Sequence, residues 1–420
     1  MPKFTDIKEI AHGIASGDLL AMGYVHSGFD RLFEELSDTN CEHNIDVFIP
    51  CLFRYKEDDI FHLDRIADRF GGKFLITQIA PQYAHLVKNG KVDILPLPLS
   101  QVPRYLKKQN RRRKVWAFCE IGPPDKKGVC NTGYSAPFPL SFLENCEVIG
   151  LVNEKMPITY GDTLIPAHYC KFFVRIPDKL PFFPEPEVSD ITQAIGMNVA
   201  QLIDDDSTIE AGIGEIMASV LGALTEKKRL RYQSGCLSED VRALIDKGVI
   251  TGKSVGNITG ARTADFYEWL HCNPSIEIRT MEFTHNVLRM AAQPGFTALG
   301  SALAVDLLGQ VASETIGSMQ ITGIGGALDF ARASGIGGGN SIIAMSSTYG
   351  KNNASKIVPC FDKGDVVSLT RYDVDYVVTE YGIADLKYRS RRERALNLIH
   401  VAHPNNRELL SEKAKYLGLL

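Results

Sequence analysis

The sequence contains no apolar run long enough to cross a membrane, since none approaches the roughly 18 residues that a transmembrane helix requires. Its first twenty residues lack the apolar core of a secretory signal peptide. An excess of positive charge is also missing, because 46 Lys and Arg stand against 50 Asp and Glu, and a net charge of -4 does not favour nucleic-acid binding. We therefore expect a cytoplasmic protein that binds neither membranes nor nucleic acids.

Metal and disulfide motifs are missing as well. The nine cysteines are odd in number and no two are spaced as C-x-x-C, which argues against a disulfide framework and against a zinc site. The ten histidines show no H-E-x-x-H spacing. We therefore expect a reducing compartment and no bound metal.

Proline marks a division of the chain. At 420 residues the chain is long enough for two or three domains. Residues 177–187 hold four prolines, which neither a helix nor a central strand accommodates. This segment predicts a linker between an N-terminal domain of residues 1–176 and a C-terminal domain of residues 188–420. Apolar strand-like runs alternate with helix-like stretches on both sides, which predicts two α/β domains with mainly parallel sheets.

Two glycine clusters lie close together between residues 321 and 340. Glycine provides positive-φ turns and amides that no side chain covers, and a large phosphate-bearing ligand needs both. Tight turns without a ligand are the alternative interpretation. The residues that we predict to bind such a ligand are Gly323, Gly325, Gly326, Gly337, Gly338, Gly339 and Asn340.

A third glycine motif, Gly212-Ile213-Gly214, stands between strand-like TIEAG and helix-like EIMASVLGAL. A strand, a turn and a helix in this order present free backbone amides at the helix N-terminus, which suits an anion or an oxyanion. An ordinary turn is the alternative, because such turns often contain glycine. We predict that Gly212 and Gly214 belong to a catalytic site.

Longer segments carry a family resemblance. The segments NEKMPITYGDTLIP, ITGIGGALDF, GGGNSIIAMSST and DVDYVVTEYGIADL occur in order along the chain. They resemble the family I coenzyme A transferases of the acetyl-CoA hydrolase and 4-hydroxybutyrate CoA-transferase type. The resemblance implies the CoA-transferase fold, coenzyme A or acyl-CoA as a substrate, no tightly bound cofactor, a small carboxylic acid as the other substrate, and a homo-oligomer such as a homodimer. It also implies a glutamyl-CoA thioester as the intermediate.

The sequence departs from this family at the nucleophile. The family pattern I-H-(S/T)-E-M-(I/F)-S-D appears here as YQSGCLSE over residues 232–239, so that Gly235 occupies the glutamate position. Glycine cannot form a thioester, and the covalent route is therefore excluded at that position. Cys236 and Glu239 are candidate replacements. A buried structural thiol is the favoured interpretation of Cys236, and a place in the first turn of a helix is the favoured interpretation of Glu239.

Three functions remain open from the sequence. The first is transfer of CoA between an acyl-CoA and a carboxylic acid without the usual glutamyl-CoA intermediate. The second is hydrolysis, decarboxylation or C–C cleavage of an acyl-CoA, with water or a bulkier acyl group in the space beside Gly235. The third is a non-catalytic acyl-CoA-binding subunit. The glycine motifs favour an enzyme, because a scaffold requires no anion-stabilising turn.

Overall fold

The computed structural model describes residues 2–23, 30–38, 44–53, 55–56, 63–177 and 179–420. Cys41 and residue 178 of the predicted linker lie outside the described residues. The eight cysteines within them form no disulfide. No helix in the described ranges has both the length and the apolar character needed to span a membrane.

Short strands and helices alternate along the described chain. The strands are β1 (Lys3–Phe4), β2 (Leu19–Met22), β3 (Asp46–Leu52), β4 (Lys73–Ile79), β5 (Val92–Ile94), β6 (Val115–Ile121), β7 (Val129–Asn131), β8 (Glu147–Val152), β9 (Tyr160–Gly161), β10 (Leu164–Pro166), β11 (Cys170–Arg175), β12 (Thr208–Ala211), β13 (Arg231–Cys236), β14 (Ser254–Asn257), β15 (Ile276–Ile278), β16 (Thr297–Gly300), β17 (Ala304–Asp306), β18 (Val311–Ala312), β19 (Thr315–Ile316), β20 (Met319–Gln320), β21 (Ser341–Ala344), β22 (Thr348–Tyr349), β23 (Ala354–Ser355), β24 (Ile357–Val358), β25 (Tyr376–Thr379) and β26 (Gly382–Asp385). The helices are α1 (Ile7–Gly13), α2 (Asp30–Asp38), α3 (Leu63–Arg69), α4 (Ala84–Lys88), α5 (Val102–Asn110), α6 (Leu140–Leu143), α7 (Asp190–Ala200), α8 (Glu215–Gly222), α9 (Glu239–Asp246), α10 (Ala264–Leu270), α11 (Met281–Thr284), α12 (Val287–Ala291), α13 (Ala327–Gly337), α14 (Arg391–Val401) and α15 (Pro404–Tyr416).

The chain divides into two compact units. Unit 1 comprises Met1–Glu185 and Val255–Thr284, and unit 2 comprises Pro186–Ser254 and His285–Leu420. The first crossing between the units therefore lies within the Pro-rich segment of residues 177–187. Unit 1 is built from two segments of the chain, whereas the division predicted from the sequence is continuous. The predicted division into domains of residues 1–176 and 188–420 stays a prediction.

Unit 1 contains an eight-stranded sheet in the order β1-β11-β8-β6-β2-β3-β4-β5. All of its neighbouring strands are parallel. Successive residues of β2 enter different apolar clusters, with Leu19 and Ala21 in one and Leu20 and Met22 in the other. Because side chains alternate between the faces of a strand, this sheet is buried on both sides.

Unit 2 contains strands in the order β26-β25-β21-β16-β12-β13. The neighbours β25-β21, β21-β16, β16-β12 and β12-β13 are parallel, and β26 adds an antiparallel edge. The predicted α/β class with mainly parallel sheets is confirmed. Ligand sites in such sheets form beyond the carboxyl ends of the strands, and the ends of β12 and β13 are neighbours here.

Helices α12 and α13 cover part of unit 2 through a small apolar cluster. Its buried members are Met290, Phe296, Ala298, Phe330 and Ala333. The two helices approach closely, because a Cβ atom added to Gly337 of α13 would lie 2.5 Å from the carbonyl oxygen of Ala291. This packing fixes the segment just before α12 beside α13.

Candidate functional site

The turn after β12 is open to solvent and requires glycine. Gly214 has φ 114° and is the N-cap residue of α8, a conformation that favours glycine. A Cβ atom added to Gly212 or Gly214 would meet no heavy atom within 4 Å. The first amides of a helix have no partner within it, so the turn can offer donors to an anion. The predicted oxyanion role of Gly212 and Gly214 stays a prediction.

The ends of β12 and β13 are held together by two side chains of β13. The hydroxyl of Tyr232 lies 3.0 Å from the carbonyl oxygen of Ala211 and 2.5 Å from that of Cys236. The hydroxyl of Ser234 lies 2.8 Å from the carbonyl oxygen of Ala211 and accepts from the amide of Cys236. Burial raises the pKa of Tyr232, which therefore remains a protonated donor. These bonds fix the turn after Ala211 relative to the end of β13.

A buried carboxyl group lies on the same strand as this turn. Glu210 is 4% exposed, and its Oε1 atom lies 3.2 Å from the hydroxyl of Ser234. Burial raises its pKa to about 8, although hydrogen bonds with Ser234 and with the Leu299 backbone oppose the shift. Glu210 is therefore mostly protonated at neutral pH, and its neutral acid group adds no negative charge beside the turn.

The space beside Gly235 is filled by a histidine. A Cβ atom added to Gly235 would lie 2.8 Å from Cε1 and 3.0 Å from Nε2 of His285, and 3.7 Å from Phe330. Distances at or below 3.0 Å leave no room for a side chain unless the imidazole moves. The imidazole of His285 lies in the space where water or a bulkier acyl group is expected, and that expectation stays a prediction.

His285 is held in place from several sides. It is 3% exposed, and its ring lies 4.9 Å from the ring of Phe330 at an angle of 35°. A Cβ atom added to Gly326 would lie 2.7 Å from Nε2 of the same imidazole. Burial lowers the pKa of His285 to about 3, so the ring is neutral at physiological pH. The structure thus brings together Gly235 and Gly326, two residues predicted as parts of different sites, around one neutral imidazole.

The two candidate replacements for the glutamate lie just beyond Gly235. Cys236 is half-buried at the end of β13, and Glu239 is the first residue of α9. Ser238 is the N-cap of α9, but its hydroxyl donates to the carboxylate of Asp240 at 3.3 Å and makes no bond to a helix amide. Catalytic roles for Cys236 and Glu239 stay predictions.

The first glycine cluster precedes α13. Gly323 and Gly325 are buried, and Gly326 is half-buried at the N-cap position of the helix. Gly325 has φ 58°, which favours glycine. Gly326, the last glycine of this cluster, lies beside the imidazole of His285.

The second glycine cluster ends α13, and packing accounts for much of it. Gly338 is the left-handed C-cap residue with φ 71°, a common place for glycine. A Cβ atom added to Gly339 would lie 1.9 Å from the carbonyl oxygen of Phe296. The side chain of Asn340 accepts from Nζ of Lys387 at 2.9 Å. These contacts account for the glycines and for the bonding of Asn340 without any ligand. The predicted role of these residues in binding CoA stays a prediction.

The two clusters lie at opposite ends of α13. Eleven helical residues separate Gly326 from Gly338, a length of about 16 Å at 1.5 Å per residue. One phosphate group therefore cannot contact both clusters. A ligand that touches both must be extended along the helix.

Sequence reasoning missed three polar residues near Gly235, namely Glu210, Gln233 and His285. The sequence does contain an indication for Glu210, because a carboxylate within the apolar run STIEAGI indicates either a buried acid or a functional site. It contains none for His285, which stands 50 positions after Gly235 in no recognisable motif. Gln233 is 5% exposed, and its Nε2 atom has no hydrogen-bond partner among the described residues. No group of three or more potential ligands in those residues is placed to hold a metal.

Comparison with known proteins gives consistent similarities. Residues 263–414 match the acetyl-CoA hydrolase/transferase C-terminal domain. The chain is 37% identical over 338 residues to a 4-hydroxybutyrate coenzyme A transferase of Clostridium kluyveri, covering 78% of this chain and 79% of that protein. It is 33% identical over 345 residues to a succinyl-CoA:acetate/propanoyl-CoA:succinate CoA transferase of Fasciola hepatica, covering 78% and 71%. The crystal structure of RipA from Yersinia pestis superposes with a TM-score of 0.86 at 25% identity, covering 100% of this chain and 98% of that chain.

Proposed function

Because the chain belongs to the acetyl-CoA hydrolase/transferase family of CoA-transferases, we propose that it moves CoA between an acyl-CoA and a small carboxylic acid without a glutamyl-CoA intermediate at position 235. The chain is an enzyme of this family, and its relatives use CoA thioesters. One observation carries the proposal about the route. The side chain that would supply the carboxylate is absent at Gly235, and His285 fills the space that it would need.

The packing around Gly235 argues against an easily restored nucleophile. A glutamate there would have to displace the imidazole of His285, which also lies against Phe330. Displacing a buried ring from a packed site costs typically 1–3 kcal/mol. The residues around position 235 therefore fit a glycine and leave no room for a glutamate side chain.

Direct transfer needs no enzyme carboxylate. A carboxylate oxygen of the acceptor acid forms a bond to the acyl carbon of the thioester, and the C–S bond breaks to release the CoA thiolate and a mixed anhydride. The thiolate then attacks the carbonyl carbon that came from the acceptor, forming the new thioester and releasing the original acid as its carboxylate. No net proton is consumed, and each step develops negative charge on a carbonyl oxygen.

The open turn at Gly212 and Gly214 supports this chemistry. Backbone amides at a helix N-terminus stabilise developing oxyanions, and removing one such donor typically costs about 10²–10³ in turnover. The acid is proposed to be small, because the two relatives are named for short acids, 4-hydroxybutyrate in one and acetate, propanoate and succinate in the other.

Hydrolysis is the second candidate function. The family description includes hydrolases, and the missing carboxylate at Gly235 removes the residue that would retain CoA on the enzyme between half-reactions. Water would then take the place of the acceptor acid, giving the free acid and CoA.

A product analysis separates these functions. The purified enzyme is incubated with acetyl-CoA and an excess of propionate, and the CoA species are measured by liquid chromatography with mass spectrometry. The proposal predicts propionyl-CoA in amounts equal to the acetyl-CoA consumed. Free CoA that forms equally well without propionate would instead establish hydrolysis. Tight binding of acetyl-CoA without either product would instead indicate a non-catalytic acyl-CoA-binding subunit.

A further inference from the structure

A cavity lies in unit 1 beyond the carboxyl ends of β1 and β11. Its volume is about 580 Å³, within the range of roughly 300–1,000 Å³ that small-molecule sites occupy. The residues that line it come from the end of β1, the start of α1, one position of α2 and the end of β11, and all of them belong to unit 1. Parallel sheets commonly bind ligands beyond the carboxyl ends of their strands, and the proposed function makes no use of this cavity.

The cavity forms because β11 is longer than its neighbour β1. The two strands pair at Lys3 with Phe172 and at Phe4 with Phe173, after which the chain turns away from the sheet into α1. Among the described residues, the last two positions of β11 pair only with β8. The gap on the other side of β11 follows from the path of the backbone and is therefore a fixed feature of unit 1.

The cavity combines buried apolar side chains with an exposed rim. Ile7 and Val174 are buried members of a large apolar cluster of unit 1, and Ile176 packs against the same cluster. Phe4 is 43% exposed, and the Cζ atom of Arg175 lies 4.7 Å from the centre of its ring. A ligand can therefore bury hydrocarbon inside the cavity and keep a charged group at the rim.

Two arginines at the rim have donors to spare. Arg31 donates from Nη2 to both carboxylate oxygens of Asp6, at 3.0 and 3.1 Å. Arg175 donates from Nη1 to Glu154 at 2.9 Å. Neither guanidinium makes another hydrogen bond within the part of the chain that the structure describes, although each guanidinium carries five N–H donors. Both ion pairs are exposed and therefore weak, so neither prevents a further carboxylate from binding.

The charged residues of the lining favour a ligand with a single negative charge. Two arginines and one aspartate line the cavity, which gives the lining a net charge of +1. Asp6 counts as charged, because the amide of Lys8 and the guanidinium of Arg31 lower the pKa of its carboxyl group. Glu154 pairs with Arg175 from outside the lining and reduces the positive potential further. A monoanion matches this balance, whereas a dianion such as a phosphate monoester exceeds it.

We propose that this cavity binds an organic monocarboxylate with an apolar body. The carboxylate accepts from the free donors of Arg31 and Arg175, since guanidinium groups bind carboxylates through pairs of N–H donors. The apolar body lies against Ile7, Val174 and Ile176. The site shares no residue with the glycine motifs of the proposed function, which all belong to unit 2, and it does not depend on that function.

Calorimetric titration of the full-length protein with benzoate tests the proposal. Benzoate should bind with a dissociation constant of about 1 mM, a reasonable affinity for so small a ligand. Arg31→Gln and Arg175→Gln should each weaken binding about tenfold, because each removes a charge-assisted hydrogen bond. Arg229→Gln is the matched control and should bind benzoate as the wild type does. Arg229 pairs with Asp206 and is 61% exposed, as Arg31 is, but it lies outside the cavity.

A fluorescent variant locates the bound ligand. Phe4→Trp places a tryptophan at the rim of the cavity, and its emission should change as benzoate is added, with the midpoint at the calorimetric dissociation constant. The wild type provides the background, because its two tryptophans lie outside the lining.

Three further probes test the chemical class of the ligand. Acetate lacks the apolar body, benzyl alcohol lacks the charge, and phenyl phosphate carries a second charge. Each should bind at least about tenfold more weakly than benzoate, because each loses either the apolar contact or the match of charge.

The proposal is overturned if benzoate does not bind, or if Arg31→Gln and Arg175→Gln bind it as tightly as Arg229→Gln does. Benzoate that releases heat without changing the emission of Phe4→Trp would lie elsewhere in the protein, which equally overturns the proposal. Equal affinity for benzoate and for any of the three further probes would overturn the assignment to a monocarboxylate with an apolar body.

Discussion

The imidazole of His285 lies against Gly235, with Cε1 2.8 Å from the place that a Cβ atom would take. The two residues are 50 positions apart in the sequence, and unit 2 contains both. Glycine is required at this point of β13 because of the histidine, and the histidine fits because of the glycine. In this pair, His285 occupies the place that the side chain of a nucleophile at position 235 would need.

Restoring the glutamate should therefore need two changes. Gly235→Glu alone should destabilise the protein by about 1–3 kcal/mol, because its side chain meets a fixed imidazole, and it should form no adduct with acetyl-CoA. Gly235→Glu combined with His285→Ala removes the obstacle and should gain a covalent CoA adduct, detected by intact-mass analysis. His285→Ala alone is the control and should form none. An adduct in the Gly235→Glu single variant would show that the imidazole is no obstacle.

The turn after β12 should be sensitive at one glycine and tolerant at the other. Gly214 has φ 114°, so Gly214→Ala forces a strained backbone, at a cost of order 1–3 kcal/mol, and should move the amides of the turn. We expect turnover to fall by about 10²–10³ with CoA affinity within a few fold. Gly212→Ala is the matched control, since it too has open space but no positive φ. Steady-state kinetics and calorimetric binding measure both quantities, and equal losses of turnover and affinity at Gly214 would assign the turn to ligand binding alone.

Glu210 should make stability depend on pH. Burial raises its pKa in the folded protein to about 8, above the ordinary value of 4.5. Its contribution is therefore fully present below about pH 4.5 and is lost as the pH rises towards 8, with a slope of at most about 1.4 kcal/mol per pH unit. Glu210→Gln keeps an oxygen for Ser234 and removes the titration, so this variant should gain stability relative to the wild type between pH 5 and pH 8. Denaturant unfolding at several pH values measures the difference, and parallel curves for the two proteins would refute the assignment.

The glycine at the end of α13 offers a test of the predicted CoA contacts. CoA at 100 times its dissociation constant should stabilise the protein by about 2.7 kcal/mol. Gly338→Trp should abolish this effect if the end of the helix approaches the ligand. Gly338→Asn is the control, because asparagine tolerates the left-handed conformation that Gly338 adopts. Thermal unfolding with and without CoA provides the measurement, and an undiminished shift in Gly338→Trp would restrict Gly338 to its role as a helix cap.

Local pattern was sufficient to predict the α/β class and the turn at Gly212 to Gly214. The alternation of apolar runs with helix-like stretches reflects periods of 2 and 3.6 residues, which are written in adjacent residues. The glycine pattern likewise predicts a turn before α8, and the positive φ of Gly214 is the conformation of such a turn. These features depend on short stretches of chain, and short stretches are what a single sequence displays.

The interior of the site could not be predicted, because its contacts join distant residues. Nothing near His285 in the sequence indicates that it packs against Gly235 and Gly326. Nothing near Gln233 indicates that its Nε2 atom has no hydrogen-bond partner among the residues that the structure describes. Glycine itself is ambiguous in sequence. Gly339 is required by the approach of the Phe296 backbone, and that close contact looks the same in sequence as a ligand-binding turn.

The mass of the protein during turnover shows whether a covalent CoA intermediate forms. The wild type is mixed with acetyl-CoA, treated with borohydride in one sample and left untreated in another, and then analysed as the intact protein and as peptides. We expect no CoA adduct, no reduced glutamyl residue and full retention of activity after borohydride. A CoA adduct mapped to Glu239, Glu215 or any other carboxylate, together with loss of activity after borohydride, would contradict it and restore the covalent route.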